Sequence, residues 1–124
     1  MIPGKGPRHP TIRKSFHYAR QGFRSAFKDE RNIKIILSIG VLAIIAGFVI
    51  GLDLIEWAII LTCCGCVITS ELLNTAVETV VDLVSPEFHP LAGRAKDIAA
   101  AAVWTISVFS VIIGLCVYIH AILG

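Results

Sequence analysis

Charged residues interrupt the apolar residues of this chain at only a few places, leaving intervals about as long as membrane-spanning helices. The uncharged runs cover residues 35–52, 57–70 and 98–124. A helix needs about 20 mainly apolar residues to cross a bilayer, and the short second run reaches that length when it is extended at both ends. Ser85-Pro86 predicts the end of one helix, and His89-Pro90 predicts the start of the next. The pattern therefore predicts three long helices, at 34–52, 54–84 and 90–122.

A different periodicity precedes the first long helix. Apolar residues recur on one face of a helix at 12–31, namely Ile12, Phe16, Ala19, Phe23, Ala26 and Phe27. Basic residues occupy another face, namely Arg13, Arg20, Arg24, Lys28 and Arg31. This pattern predicts an amphipathic helix on an anionic membrane surface. Residues 1–10 hold three prolines and two glycines, which predicts a flexible tail. The predicted fold is a single all-α integral membrane domain, 1–124, with three transmembrane helices and one surface helix.

Composition and charge placement agree with a membrane protein. Hydrophobic residues make up 56% of the chain and charged residues 16%, whereas a soluble domain has about 25% charged residues. Nine of the eleven basic residues precede position 35, and the other two are Arg94 and Lys96. The basic residues bracket the apolar runs and do not mark a nucleic-acid-binding face. The positive-inside rule places the N-terminal segment and residues 85–97 in the cytoplasm.

One polar stripe crosses the second long helix. Glu71, Asn74, Glu78 and Asp82 are spaced i, i+3, i+7 and i+11, so they fall within an arc of about 80°. Acidic residues at membrane depth are costly and usually functional. Two alternatives stay open: Asp82 equally fits a solvated helix face, and Asn74 fits a hydrogen bond between helices.

Further charged residues reach the same membrane level. Arg94, Lys96 and Asp97 lie in the first turns of the last helix, and Glu30 arrives from the surface helix. Clustered carboxylates suit Mg²⁺ that is bound together with nucleotide phosphates, and a carboxylate without metal can act as a general base. This inventory indicates a phosphotransferase at a membrane surface, although no Walker A or protein-kinase glycine loop is present. The alternative from another class of protein is a small multi-span cation transporter. A transporter would be expected to have an acid near the bilayer midplane, whereas the acids here lie at one end of the spans.

Two motifs resemble a known family. Glu71-Leu-Leu-Asn-Thr-Ala-Val-Glu-Thr-Val-Val-Asp82 and Arg94-Ala-Lys-Asp97 look like the signature of the prokaryotic diacylglycerol kinase family. Residues 29–32, 55–57 and 85–92 are similar to its Gram-positive undecaprenol kinase branch. The resemblance spans about residues 11–122. It implies a homotrimer in the bacterial cytoplasmic membrane, with its active site on the cytoplasmic side, that transfers the ATP γ-phosphate to a lipid hydroxyl.

The resemblance also implies roles for individual residues. Glu71 would be the general base, and Glu30 and Glu78 would bind Mg²⁺ at the ATP phosphates. Lys96 and Asp97 would position the nucleotide, with Asn74 and Asp82 in support. The remaining nucleotide-binding residues would be Tyr18, Glu87, Phe88 and His89.

Two departures bear on the lipid substrate. Thr11 stands where the diacylglycerol kinases have an arginine, and Ala100 stands where they have a serine. Both positions lie near lipid or nucleotide in that branch, so the departures favour undecaprenol over diacylglycerol. Phosphorylation of diacylglycerol to phosphatidic acid is the alternative within the family.

Overall fold

A computed structural model of the protein describes residues 11–124, and all regular structure in this range is helical. The four helices, in chain order, are α1 Ile12–Asp29, α2 Arg31–Ile50, α3 Leu54–Val84 and α4 Pro90–Leu123. The predicted all-α class, with three long apolar helices and one amphipathic helix, is confirmed. The tail predicted at residues 1–10 lies outside the described residues.

A single residue separates α1 from α2, which is a sharper corner than the sequence indicates. Glu30 has extended backbone angles, φ −114° and ψ 116°, while its N–H still donates to the carbonyl of Ala26 at 2.9 Å. The surface helix therefore ends at Asp29, two residues before its predicted end. The next helix starts at Arg31, three residues before its predicted start, because polar residues with long side chains can extend a helix into the interface. The corner places Glu30 between two helices.

A tight hairpin joins α2 to α3. Gly51 adopts the left-handed conformation, with φ +81°, that ends many helices. The N–H groups of Gly51 and Leu52 both donate to the carbonyl of Gly47, at 2.9 and 3.1 Å. Asp53 and Glu56 then form a capping box, in which each side chain accepts from the other residue's backbone N–H. The two spans are thus joined with their exposed backbone groups bonded.

Three of the buried apolar residues lie together near this hairpin. Leu52, Ile60 and Val117 form the core cluster, and the most extensive helix contact is between α3 and α4. The Tyr118 hydroxyl donates to the backbone carbonyl of Ala43, which ties α4 to α2. We call this the hairpin end, and the opposite end, where α1 meets α3 and α4 begins, the site end.

Three helices are long and apolar enough to span a membrane. Their most apolar windows have mean hydropathies of 2.7 for α2, 1.6 for α3 and 2.4 for α4. Only 11%, 11% and 6% of these windows are buried within the chain. Such a surface is stable in hydrocarbon and not in water. The chain is accordingly a multi-pass membrane protein.

At the site end, a short connection turns the chain from α3 into α4. The N–H of Ser85 donates to the carbonyl of Val81 at 2.8 Å, which closes the last turn of α3. His89 caps α4 by accepting the Leu91 N–H on Nδ1 at 3.1 Å, and Pro90 occupies the first helical position. The acidic end of α3 and the charged start of α4 are thereby held side by side.

Packing at the hairpin predicts the effect of a glycine substitution. A Cβ at Gly47 would lie 2.7 Å from the Trp57 ring, whereas a Cβ at Gly40 would have nothing within 4 Å. We expect Gly47→Ala to destabilise the protein by about 1–3 kcal/mol, the usual cost of overpacking. Gly40→Ala, on the same helix, is the control and is expected to be neutral or slightly stabilising. Thermal unfolding in detergent measures both, and equal midpoints for the two variants would contradict the prediction.

Candidate active site

The site begins with a buried carboxylate. The Glu71 side chain is 2% exposed, which makes it one of the two most fully buried side chains among the described residues. Burying a charge is costly unless it is hydrogen-bonded. The Nδ2 of Asn32, in the first turn of α2, donates to Oε2 of Glu71 at 2.8 Å. This bond joins α2 to α3 across 39 positions of sequence.

Two further members of the polar stripe lie beside Glu71. Asn74, 9% exposed, donates from Nδ2 to Oε1 of Glu78 at 3.2 Å, within α3. The Asn74 carbonyl oxygen is buried without a hydrogen-bond partner among residues 11–124, and so is the hydroxyl of Thr75. Buried polar atoms without partners are uncommon and need an explanation, such as a bound ion. The amide of Asn74 therefore presents an unused oxygen next to a carboxylate.

Glu30 supplies a third carboxylate at the site end. Glu30 precedes by two residues the Asn32 that donates to Glu71, and Glu78 accepts from Asn74 on the face of α3 that carries Glu71. Although Glu30 occupies the cap position of α2, its side chain makes no capping hydrogen bond, so its carboxylate is uncommitted there. We call Glu30, Glu71, Asn74 and Glu78 the acidic cluster. It combines residues from the α1–α2 corner and from α3.

An ion pair connects α4 to α3 at the site end. Lys96 Nζ lies 2.6 Å from Oδ1 of Asp82, with side-chain exposures of 39% and 65%. An exposed pair of this kind contributes little stability. Lys96 also interacts electrostatically with Glu78. The contact therefore places a cation beside the acidic cluster and gives Asp82 a partner on another helix.

Asp97 faces a separate space on α4. It lines a cavity of about 430 Å³ together with Phe88, Pro90, Gly93, Arg94, Ile98 and Ala101. Phe88 is 90% exposed, so its ring is available to a partner. The lining of this cavity therefore combines an aromatic ring, the Arg94 cation and the Asp97 carboxylate.

The other predicted nucleotide residues stand apart from the acidic cluster. Glu87 is exposed and its backbone carbonyl accepts from Ser85, while the ring of His89 caps α4. Tyr18 is half-buried on α1, with its ring 5.9 Å from that of His17. Within residues 11–124, the side chains of Tyr18, Glu87, Phe88, His89 and Asp97 make no hydrogen bond or ion pair with the cluster.

The sequence does not predict the hydrogen bond between Asn32 and Glu71. Charge and spacing predict the acidic candidates, and the family resemblance implies the others, such as Tyr18 and Phe88. Neither predicts a role for a neutral amide at the start of an apolar run. One signal was available in the sequence. Asn32 follows Glu30 by two residues, so it is expected at the same membrane level as the polar stripe of α3. Its partner on α3 depends on how the two helices pack.

The site is that of a membrane-embedded enzyme with carboxylates at one end of its spans. Residues 17–118 match the family model of the prokaryotic diacylglycerol kinases. The chain therefore belongs to this family, and it is a lipid phosphotransferase.

Several relatives with names are similar to it over most of the chain. An undecaprenol kinase of Bacillus subtilis is 42% identical over 86% of this chain and 86% of its own length. A diacylglycerol kinase of Synechocystis is 42% identical over 93% of this chain, which covers 66% of that relative. A diacylglycerol kinase of Escherichia coli is 31% identical over 91% of this chain and 92% of its own length. The names of these relatives thus refer to two different lipids, undecaprenol and diacylglycerol.

The burial of Glu71 predicts that this carboxylate costs stability. We expect Glu71→Leu to leave the thermal unfolding midpoint unchanged or higher, because an apolar side chain removes the desolvation cost and the exposed Asn32 can bond to water. The control is Glu56→Leu at the hairpin end, which removes a capping interaction and a contact with His120, and should cost at least about 1 kcal/mol. If Glu71→Leu lowers the midpoint as much as Glu56→Leu does, Glu71 is there for stability.

Proposed function

We propose that the protein is an undecaprenol kinase, which transfers the γ-phosphate of ATP to the hydroxyl of undecaprenol and forms undecaprenyl phosphate. The observation that carries the proposal is the Glu71 carboxylate, which is buried, hydrogen-bonded on one side and flanked by two further acids. The similarity to the Bacillus subtilis undecaprenol kinase supports the choice of lipid, as do Thr11 and Ala100 at the two departing positions.

In the proposed reaction, Glu71 acts as the general base. Its carboxylate accepts the proton of the lipid hydroxyl as the alcohol oxygen attacks the γ-phosphorus of ATP. A bond forms between that oxygen and phosphorus, and the bond to the β–γ bridging oxygen breaks. ADP leaves with the bond electrons, and the proton remains on Glu71 until it passes to solvent. No other carboxylate of the stripe combines such burial with a hydrogen bond from another helix.

The donor set of the acidic cluster fits Mg²⁺. Glu30 and Glu78 offer carboxylates, and Asn74 offers its unpartnered carbonyl oxygen. Mg²⁺ prefers oxygen ligands and usually takes only one or two carboxylates, with phosphate and water completing its shell. No cluster of three or more His, Cys, Asp or Glu side chains suited to a metal occurs within residues 11–124. When bound, Mg²⁺ would neutralise charge on the ATP phosphates, and Glu30 and Glu78 would hold it there.

The nucleotide would lie along the start of α4. Lys96, already oriented by Asp82, would bind phosphate oxygens, and Asp97 would line the adjoining cavity with Phe88. Glu87 and His89, on the connection before α4, would approach the nucleotide from the same side, and Tyr18 would do so from α1. This arrangement assigns the cation and the aromatic ring to ATP and leaves Glu71 for the lipid.

The proposal includes a location and an assembly. The basic N-terminal segment and the charged start of α4 favour the cytoplasmic side of a bacterial cell membrane for the site end. We propose a homotrimer, as the family resemblance implies. The largely uncovered apolar faces of α2 to α4 leave room for contacts between copies as well as for lipid.

The lipid and the base can be tested in one assay. The purified protein in bilayers receives Mg-ATP with either undecaprenol or diacylglycerol, and phosphorylated lipid is measured. We expect undecaprenol to be the better substrate. Glu71→Gln should lower the rate by about 10²–10⁴-fold, the usual contribution of a general base.

Glu56→Gln is the matched control for this assay. It makes the same chemical change at the hairpin end, and glutamine also serves in a capping box, so the rate should be retained. Greater turnover of diacylglycerol would overturn the choice of lipid, and an unchanged rate for Glu71→Gln would overturn the choice of base. If neither lipid gains phosphate, the proposed activity is wrong.

The metal assignment predicts a change in magnesium dependence. Glu78→Gln keeps the size of the side chain but removes one anionic ligand, so half-maximal activity should require at least about tenfold more Mg²⁺. The same titration of Glu56→Gln should match that of the unsubstituted protein. A Glu78→Gln enzyme with reduced activity at every Mg²⁺ concentration and unchanged half-saturation would argue against a metal-binding role.

A further inference from the structure

We propose that Asn32 is a positioning residue for Glu71, whose side-chain amide holds one carboxylate oxygen so that the other faces the substrate hydroxyl. The inference rests on the proposed role of Glu71 as general base. It adds a residue that lies outside both sequence motifs and on a different helix. Asn32 acts through Glu71 and touches neither phosphate nor lipid in this scheme.

The geometry separates the two oxygens of Glu71. Asn32 Nδ2 lies 2.8 Å from Oε2, a good distance for an N–H donor to a carboxylate. Within residues 11–124, Oε1 receives no hydrogen bond. The two oxygens therefore differ: one is engaged by the protein, and the other remains for a proton from the lipid.

The donor is held by its neighbours along the chain. Asn32 is itself exposed, but the next residue, Ile33, is 1% exposed and anchors the first turn of α2. The preceding corner at Glu30 ends α1. The amide is thus placed by a packed backbone, close to the point where the surface helix meets the spans.

A glutamate needs such a partner for general-base catalysis. Its side chain has three rotatable bonds, and their freedom is worth about 1.5–2 kcal/mol when the side chain is fixed. A base that is already oriented loses less of this freedom at the moment of reaction. Because Glu71 has no other hydrogen-bonding partner among residues 11–124, the orientation of its carboxylate depends on Asn32.

The first test replaces the amide. Asn32→Leu has a similar size but lacks a donor, and it should lower kcat by about 10–100-fold, as expected for a hydrogen bond to a charged group. The KM for ATP should change by less than about twofold, since Asn32 does not contact the nucleotide in this scheme. Asn32→Gln, which keeps the amide, should recover part of the lost rate. Asn32→Asp, nearly isosteric but without a donor, should be at least as slow as Asn32→Leu.

A control on the same helix measures the effect of removing a polar group alone. The Ser38 hydroxyl donates only to the Lys34 carbonyl within α2, so Ser38→Ala should retain kcat. Thermal unfolding in detergent compares the folding of each variant. If Asn32→Leu does not fold, the comparison of Asn32→Asp with Asn32→Gln decides the question, because both side chains are polar and only one has the donor.

The decisive measurement repeats Asn32→Leu in the Glu71→Gln background. If Asn32 acts through the base, the residual rate should fall by less than about twofold, because there is no base left to position. A full loss in both backgrounds, or an unchanged kcat for Asn32→Leu alone, overturns the positioning role and leaves the proposed base intact. An unchanged rate for Glu71→Gln alone shows instead that the proposed base is wrong.

Discussion

The structure of the site end depends on burying one ionisable carboxylate between apolar helices. Glu71 is 2% exposed on a helix whose neighbours are mostly Leu, Val and Ala. That burial is costly unless the charge has partners, and the partner present is Asn32, from another helix. The corner at Glu30 is what brings the first turn of α2 to this depth. The corner between α1 and α2 therefore places a hydrogen-bond donor beside a carboxylate whose burial apolar packing alone would disfavour.

The two ends of the described chain differ in how well their polar groups are satisfied. At the hairpin end, the capping box, the left-handed Gly51 and the Leu52 cluster satisfy the local backbone and bury apolar area. At the site end, Asn74 and Thr75 keep buried polar atoms without partners. Natural proteins concentrate such unsatisfied groups where a ligand completes them. The stability of the hairpin end allows buried polar atoms at the site end to lack hydrogen-bond partners.

The sequence predicts some parts of this arrangement much better than others. The lengths of the uncharged runs identify the three spans, and the helical period identifies α1 and the stripe on α3. The sequence does not predict the end of α1 at Asp29, because residues 29–34 are compatible both with a longer α1 and with an earlier start of α2. The contacts of Asn32 with Glu71 and of Lys96 with Asp82 depend on how separate helices pack. One chain's periodicity does not contain that information.

The length of α3 is compatible with the proposal that one site serves both a lipid and a nucleotide. Its 31 residues extend about 46 Å, beyond the hydrocarbon core of about 30 Å. If α3 enters that core at Leu54, Glu71 lies about 26 Å along the helix and Glu78 about 36 Å. Glu71 is then near the membrane boundary, where the proposed lipid hydroxyl would lie, and Glu78 is on the aqueous side, where the proposed nucleotide would bind. The i, i+7 spacing of the two acids places them on one face, so in the proposed reaction the stripe would lead from the lipid acceptor to the phosphoryl donor.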